Sequence, residues 1–428
     1  MQRRYEQLVM QHLATTDEIA AGLRALPQTS GSFAAAQAAW RFYNNPRIRL
    51  PQLAEPMIAS ARQAIVADCE KFVLAVHDWS GLNYSQHESK RDRIMLYHEK
   101  QFGYELQTVL ILGDRRGKVL GPVYQGVCSA DGVHSTRNEE PLARRTHLDE
   151  VGLTIEHVEE LKLGKQLVHI IDAEADSLLH LRRFNRKKFA FVIRGSEVRR
   201  VLYQGRDVLL SEVLTTLAEK FRFSCTVDYK GKAANQYIAE TEVILHRYAK
   251  LHRSRQGHRY RRYVKGKPLA LRLIVSHVRD EMGNVLACWL LWTNLAEVSA
   301  DTIALWYYWR WRIESYFKLL KSAGQHVEQW QQETAVALAK RLLLAAQACL
   351  VVWELARSNA PEADKARQFL VRLSGRLMKR NKPFTEPALL AGMWVLLAML
   401  DTMECYTVDE IRQVAAFILP SLKQCNSS

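Results

Sequence analysis

Two acidic residues in this sequence close apolar runs, Lys71-Phe-Val-Leu-Ala-Val-His-Asp78 and Leu167-Val-His-Ile-Ile-Asp172. A third, Glu314, lies in the segment Trp306-Tyr-Tyr-Trp-Arg-Trp-Arg-Ile-Glu-Ser-Tyr-Phe-Lys-Leu-Leu-Lys321. There Tyr307, Arg310, Glu314 and Lys321 are spaced by three, four and seven residues. A helix of about 3.6 residues per turn sets them along one face. Three carboxylates suit Mg2+, or Mn2+ in its place, and can hold two ions while leaving positions open for a scissile phosphate. Two such ions activate the attacking oxygen and stabilise the leaving one. Asp78, Asp172 and Glu314 are therefore the expected catalytic and metal-binding residues. Tyr307, Arg310, Lys318 and Lys321 are the expected contacts to neighbouring phosphates. Each acid also has a plainer reading. Asp78 alone suits a turn, Asp172 has Glu174 and Asp176 as rivals for its role, and Glu314 could simply pair with Arg310 or Lys318 at i±4.

The elements around these residues decide whether they can meet. Both runs ending in Asp read as strands buried on two faces, with the carboxylate at the C-terminal end, where ligands of open α/β sheets gather. Tyr104 to Leu112 and Lys118 to Cys128 follow the first as strands joined by the turn Gly113–Gly117. A helical stretch near Ile155 to Leu163 precedes the second, and Lys188 to Ile193 makes a fifth strand. Three strands in meander, then helix, strand, helix, strand is an α/β order, and it resembles an RNase H-like sheet. Strand Leu286 to Thr293 and a long helix from Ala300 to Lys321 complete that core.

The expected organisation is an N-terminal helical DNA-binding region over 1–66 and a first part of the core over 67–197. A β-rich insertion over 198–284, a second part of the core over 285–325 and a C-terminal helical region over 326–428 follow. The insertion carries His246 to Lys267, with nine Lys or Arg and no acid, interleaved with Tyr248, Tyr260 and Tyr263. Arg259, Arg261 and Arg262 within it are expected on DNA. The whole chain has 60 Lys and Arg against 45 Asp and Glu, a net charge of +15. Such an excess favours a polyanion, because each cation placed on a phosphate releases a condensed counterion. The longest apolar run, Ala388 to Leu400, reads as too short for a membrane span, and Met1-Gln-Arg-Arg opens without a signal core. A cytoplasmic protein with no membrane partner is expected. Seven cysteines without a Cys-x-x-Cys pair argue against disulfides and structural zinc.

Four sets of residues carry a family resemblance. Tyr307, Arg310, Glu314 and Lys321 form the signature Tyr-x2-Arg-x3-Glu-x6-Lys. Ala-Val-His-Asp78 is followed by Ser80 and Tyr84, and Asp172-Ala-Glu-Ala-Asp176 is followed by Phe191-Val-Ile-Arg194. Arg41-Phe-Tyr-Asn-Asn-Pro46 comes before them all. Together, over residues 3 to about 330, they resemble the insertion-sequence-four family of bacterial DDE transposases, the hairpin-forming cut-and-paste type. Ala173 departs from the family's usual Arg. The resemblance implies a nucleoid-associated enzyme that binds the terminal inverted repeats of its element in double-stranded DNA. It cleaves them with divalent metal and joins them to target DNA, as a homodimer in the synaptic complex. It further implies that Arg41 and Arg194 touch DNA and that Trp289 holds a flipped base. Trp292 competes for that last role, and Arg194 could equally pair with an acid. Two rival functions remain: a structure-specific RNase H-like DNA nuclease, and a catalytically silent DNA-binding protein.

Overall fold

The computed structural model describes residues 29–255, 258–379 and 382–418, with residues 2, 4–6, 8 and 9 before them. Two helices, α1 (Thr29–Asn44) and α2 (Leu50–Asp68), lead into the first strand. A Pro sits in the first turn of α2, where its missing N–H costs nothing. Then come β1 (Phe72–Asn83), the short β2 (Ile94–Met95), β3 (Phe102–Gly113), β4 (Val119–Ser129) and β5 (Gly132–Ser135). Helix α3 (His147–Glu160) precedes β6 (Gln166–Ile171), and α4 (Leu178–Arg186) precedes β7 (Ala190–Arg194).

β1 is the centre of a mixed α/β architecture built on one 13-stranded sheet. It pairs antiparallel with β3 on one side and parallel with β6 on the other, and β6 pairs parallel with β7. The sheet order begins β5-β4-β3-β1-β6-β7. Phe72 to His77 are buried without a break, as a strand covered on both faces requires. The carboxylate of Asp114, in the turn after β3, accepts the N–H groups of Glu70, Lys71 and Phe72 at 2.8–2.9 Å and fixes where β1 begins.

One expectation is corrected here. Asp78 does not end its strand. The ladder with β6 stops at His77, but β3 stays paired through Asn83, so β1 runs on past the carboxylate. Asp78 therefore sits where the parallel partner is lost while the antiparallel one persists. Asp172, by contrast, directly follows β6 and caps the single turn Ala173–Ala175 with its own side chain.

The segment expected as an insertion holds β8 (Arg200–Tyr203), β9 (Arg206–Leu209), α5 (Leu210–Thr216), β10 (Arg222–Tyr229), β11 (Lys232–Leu245), β12 (Ala249–Arg255), β13 (His258–Val264) and β14 (Leu269–Arg279). It does not stand apart from the core sheet. β14 pairs with β15 (Val285–Thr293), and β15 pairs with β7, so the sheet continues unbroken through β14, β11, β8 and β9. β12 and β13 form a separate two-stranded ribbon.

The helix expected from Ala300 to Lys321 is two helices, α6 (Ala300–Trp309) and α7 (Trp311–Leu320), meeting at Arg310. Arg310 keeps right-handed dihedrals, but its N–H bonds Tyr307 O at 3.0 Å and its carbonyl accepts from Ile313 N–H at 3.1 Å. These tightened i to i+3 bonds mark the junction. Helix α8 (Ala335–Arg357) is buried almost all round and packs on α1, α2 and β4. Its Lys340 ammonium donates to Asn45 O at 2.8 Å. Helices α9 (Pro361–Leu373), α10 (Glu386–Cys405) and α11 (Val408–Ile418) follow. The Ala388–Leu400 run lies within the 20-residue α10. By length and composition α8 and α10 could each cross a membrane, but α8 is a core helix, with 83% of its apolar window buried. Within α10, Gly392 lets the backbone press on α9, since a Cβ there would stand 2.0 Å from Leu370 O.

Candidate active site

Strand β1, the turn after β6 and helix α7 bring three carboxylates to one guanidinium. Arg310 Nη1 lies 2.7 Å from Asp78 Oδ2 and 3.8 Å from Glu314 Oε1, and Nη2 lies 3.5 Å from Asp172 Oδ2. The Arg310 side chain is 7% exposed, whereas Glu314 is 43% exposed, so the cluster opens to solvent on the α7 side. Arg194, the last residue of β7, pairs with Asp172 through Nε at 2.6 Å. The Tyr307 hydroxyl donates to the same Asp172 oxygen at 3.4 Å. Asp78 and Asp172 each accept the N–H of the following residue, Trp79 at 2.9 Å and Ala173 at 2.6 Å.

Burial pushes the Asp78 carboxyl up to about 6; Arg310 and the Trp79 N–H oppose this, while Glu314 and Asp172 add to it. Burial likewise raises Tyr307. The folded state thus holds a proton on Asp78 between about pH 4 and 6 that the unfolded chain has released. Stability from this group is present below pH 4 and is lost as pH rises through 6, by on the order of 3 kcal/mol. In metal-free buffer, Asp78→Asn should flatten that part of the stability profile relative to the native chain. Parallel profiles for the two proteins would contradict the buried, crowded setting of Asp78.

The other expected residues scatter. Lys321 donates to Gly81 O and lies 3.6 Å from Glu328, which also accepts Asn83 N–H at 2.8 Å. Lys321 thus ties the end of α7 to β1, one strand segment beyond Asp78. Lys318 is exposed on α7, and Arg41 is exposed on α1. Trp289 is 5% exposed and meets Tyr307 edge to face, with ring centroids 5.5 Å apart. Trp292 is fully buried and donates its indole N–H to Asp176 at 3.2 Å. Arg259, Arg261 and Arg262 belong to β13, and their side chains lie outside the described residues.

The rivals of Asp172 have separate duties. Asp176 also accepts Ser196 N–H at 3.1 Å and pairs with Arg199 at 2.8 Å, so it anchors the loop after β7. Glu174 pairs with His147 at 3.2 Å. His147 was not singled out from the sequence, and its setting is built from four distant elements. It bridges Glu174 and Glu105 (3.1 Å) and stacks on Trp79, centroids 4.9 Å apart. Its bonds to Glu105 and then Glu174 raise it to about 10. An imidazolium thereby links Trp79, the neighbour of Asp78, with Glu174, two residues beyond Asp172. A second buried chain lies beside it: His77 Nε2 and His169 Nδ1 are 2.9 Å apart, and His169 Nε2 meets Glu159 at 3.1 Å. The carboxylate needs a proton on His169 Nε2, and with that ring neutral its Nδ1 accepts from His77 Nε2–H.

Among the described residues, no group of three or more His, Cys, Asp or Glu side chains stands arranged to hold a metal ion. The donor set itself suits one: all-oxygen, anionic and already gathered around a positive charge. The guanidinium of Arg310 is that charge here, and a divalent ion at the carboxylates would compete with it.

No family model matches the chain, and no curated protein matches it. Among solved structures, the chain is similar to the piggyBac transposase of a synaptic complex with hairpin DNA, at 11% identity and a TM-score of 0.37, over 94% of this chain and 72% of that one.

Proposed function

We propose that this chain is a cut-and-paste DNA transposase, with a catalytic core of the RNase H-like kind. One observation carries the reading: Asp78, Asp172 and Glu314, from three separate elements, converge within ion-pair reach of one buried guanidinium. The order β4-β3-β1-β6-β7, antiparallel on one side of β1 and parallel on the other, supports the core assignment. The spacing of Tyr307, Arg310, Glu314 and Lys321 supports the insertion-sequence-four assignment.

In this reading the three carboxylates hold one or two Mg2+ or Mn2+ ions, which would supply Lewis-acid activation of the attacking and leaving oxygens. Arg310 and Arg194, each paired with a carboxylate in the free protein, turn to DNA phosphates once those acids are otherwise engaged. Tyr307 donates from beside Asp172, Lys318 and Lys321 track the backbone along α7, and Arg41 adds a contact from α1. Trp289, buried edge to face against Tyr307, accepts a flipped base only if that packing opens. Two chains pair across two DNA ends, in the cytoplasm of a bacterium.

The test is the purified chain with labelled DNA from the flanks of its gene, products being separated on a denaturing gel. Mg2+ or Mn2+ should support cutting and joining, Ca2+ binding without cutting, and excess chelator neither. Cutting without joining would leave a nuclease, and robust cutting in chelator would remove the carboxylates from the mechanism.

The ribbon β12–β13 adds a second expectation. Replacing Arg253, Arg255, Arg259, Arg261 and Arg262 together by Ala should weaken duplex binding and flatten its salt dependence. The slope of log affinity against log salt should fall by about 0.9 for each phosphate that the variant no longer neutralises. An unchanged slope would take the ribbon off the DNA backbone.

A further inference from the structure

A second concave site lies between the turn joining β3 to β4, the end of α8 and the start of α7. It is at the opposite end of β1 from the carboxylates. Gly113 pairs there with Val73, five residues and so about 17 Å along the strand from Asp78. Two adjoining cavities, of about 180 and 250 Å3, share Arg116 and Lys118 as a common wall. Together they reach the size of small-molecule sites, roughly 300–1,000 Å3. We infer that they form one site for a free nucleoside polyphosphate, its phosphates in the first cavity and its base in the second.

The lining carries an excess of positive charge. Arg115, Arg116, Lys118, Arg312 and Arg357 stand against Asp68 and Glu386. Lys118 at 3.1 Å and Arg357 at 3.8 Å share the one carboxylate of Asp68. Arg116 and Arg312 are exposed and have no ion-pair partner among the described residues. Guanidiniums left without an acid are ready for phosphate oxygens, which they bind with charge-assisted hydrogen bonds. The turn that offers Arg116 is fixed. Gly117 takes a φ of +60°, and a Cβ there would run into the Trp309 ring, so only glycine lets the turn press so closely on α6. Arg312 stands two residues from both Arg310 and Glu314, roughly 200° round α7 from each, so it faces away from the carboxylates. The second cavity adds the aromatic walls Trp353 and Phe384. The Arg367 guanidinium lies 5.3 Å from the Phe384 ring centre and holds that wall in place. A flat base fits beside such rings. Duplex DNA suits the site poorly, because its phosphates lie on a convex cylinder and meet cations that protrude. The Lys118 and Arg357 side chains are recessed, only 24% and 14% exposed, within reach of a compact anion.

The experiment is calorimetric titration of the full chain in excess chelator, so that no metal ion carries the ligand to the carboxylates. The probes are ATP, inorganic pyrophosphate and adenosine. ATP should bind at least about tenfold more tightly than either of the others, since it alone fills both cavities. Arg116→Ala with Arg312→Ala should weaken ATP binding by about tenfold or more and leave the melting temperature in place, both side chains being exposed and unpaired. Phe384→Ala should bring ATP down towards pyrophosphate. No heat with ATP, ATP binding that the double variant keeps, or pyrophosphate binding as tightly as ATP overturns the site. A double variant that loses duplex affinity tenfold, in a chain that does not take up ATP, assigns these cations to DNA and overturns it as well. None of these results touches the three carboxylates or the reading built on them.

Discussion

Asp78→Asn, Asp172→Asn and Glu314→Gln should each lower DNA cleavage at least a thousandfold while leaving duplex affinity within a factor of about three. The amides keep the shape of the side chain but lose the charge that a divalent ion needs, and DNA affinity rests on cations elsewhere. Glu174→Gln is the matched control, an acid two residues from Asp172 that is bound to His147. Asp176→Asn is a poor control. Asp176 holds Arg199, Ser196 N–H and the Trp292 indole, so its loss should lower the melting temperature and depress every step together. A Glu314→Gln protein that nicks at the native rate would remove Glu314 from the site.

Arg310→Gln has the second large effect. In the native chain one buried guanidinium reaches all three carboxylates, and removing it leaves Asp172 paired with Arg194 but takes that counterion from Asp78 and Glu314. Breaking a buried ion pair costs about 3–5 kcal/mol, and the exposure of Glu314 lowers the expectation here to about 2–4 kcal/mol. The loss should appear in chelator and should be largely restored by millimolar Mg2+. The native chain, whose carboxylates already have a counterion, should gain less from the metal. Cleavage should fall more than a hundredfold even with metal, since Arg310 is also the proposed phosphate contact. If both proteins gain equally from Mg2+, Arg310 and the ion do not share the three carboxylates.

These sites differ in how far the sequence could reveal them. Strands β1, β6 and β7 were legible because burial on both faces writes an uninterrupted apolar run. The true end of β1 was not, because the run stops where β6 stops while pairing to β3 continues through polar residues. Spacing on α7 showed Arg310 and Glu314 as neighbours, and the reading gave Arg310 to a phosphate. Its contacts to Asp78 and Asp172 span far more sequence than any local pattern covers. The His147 bridge was invisible for the same reason, since Glu105, Trp79 and Glu174 come from three separate stretches. The basic stretch was visible as charge, while the ribbon it forms rests on the pairing of β12 with β13. The join between β14, β15 and β7, which makes the expected insertion part of the main sheet, depends on register between strands that share no local signal.

Helix α8 has a consequence for how the molecule comes into being. It is packed under α1 and α2 and against β4, yet its own residues, Ala335–Arg357, are made long after theirs. Until Arg357 has left the ribosome, the apolar faces of α1, α2 and β4 lack their cover, and the carboxylates sit on a sheet whose back is open. Contacts of such sequence separation are slow to form and leave intermediates with exposed apolar surface. Synthesis itself therefore times assembly of the site: a nascent chain carries all three acids before it can hold them in place, and a chain truncated ahead of α8 should accumulate in aggregates.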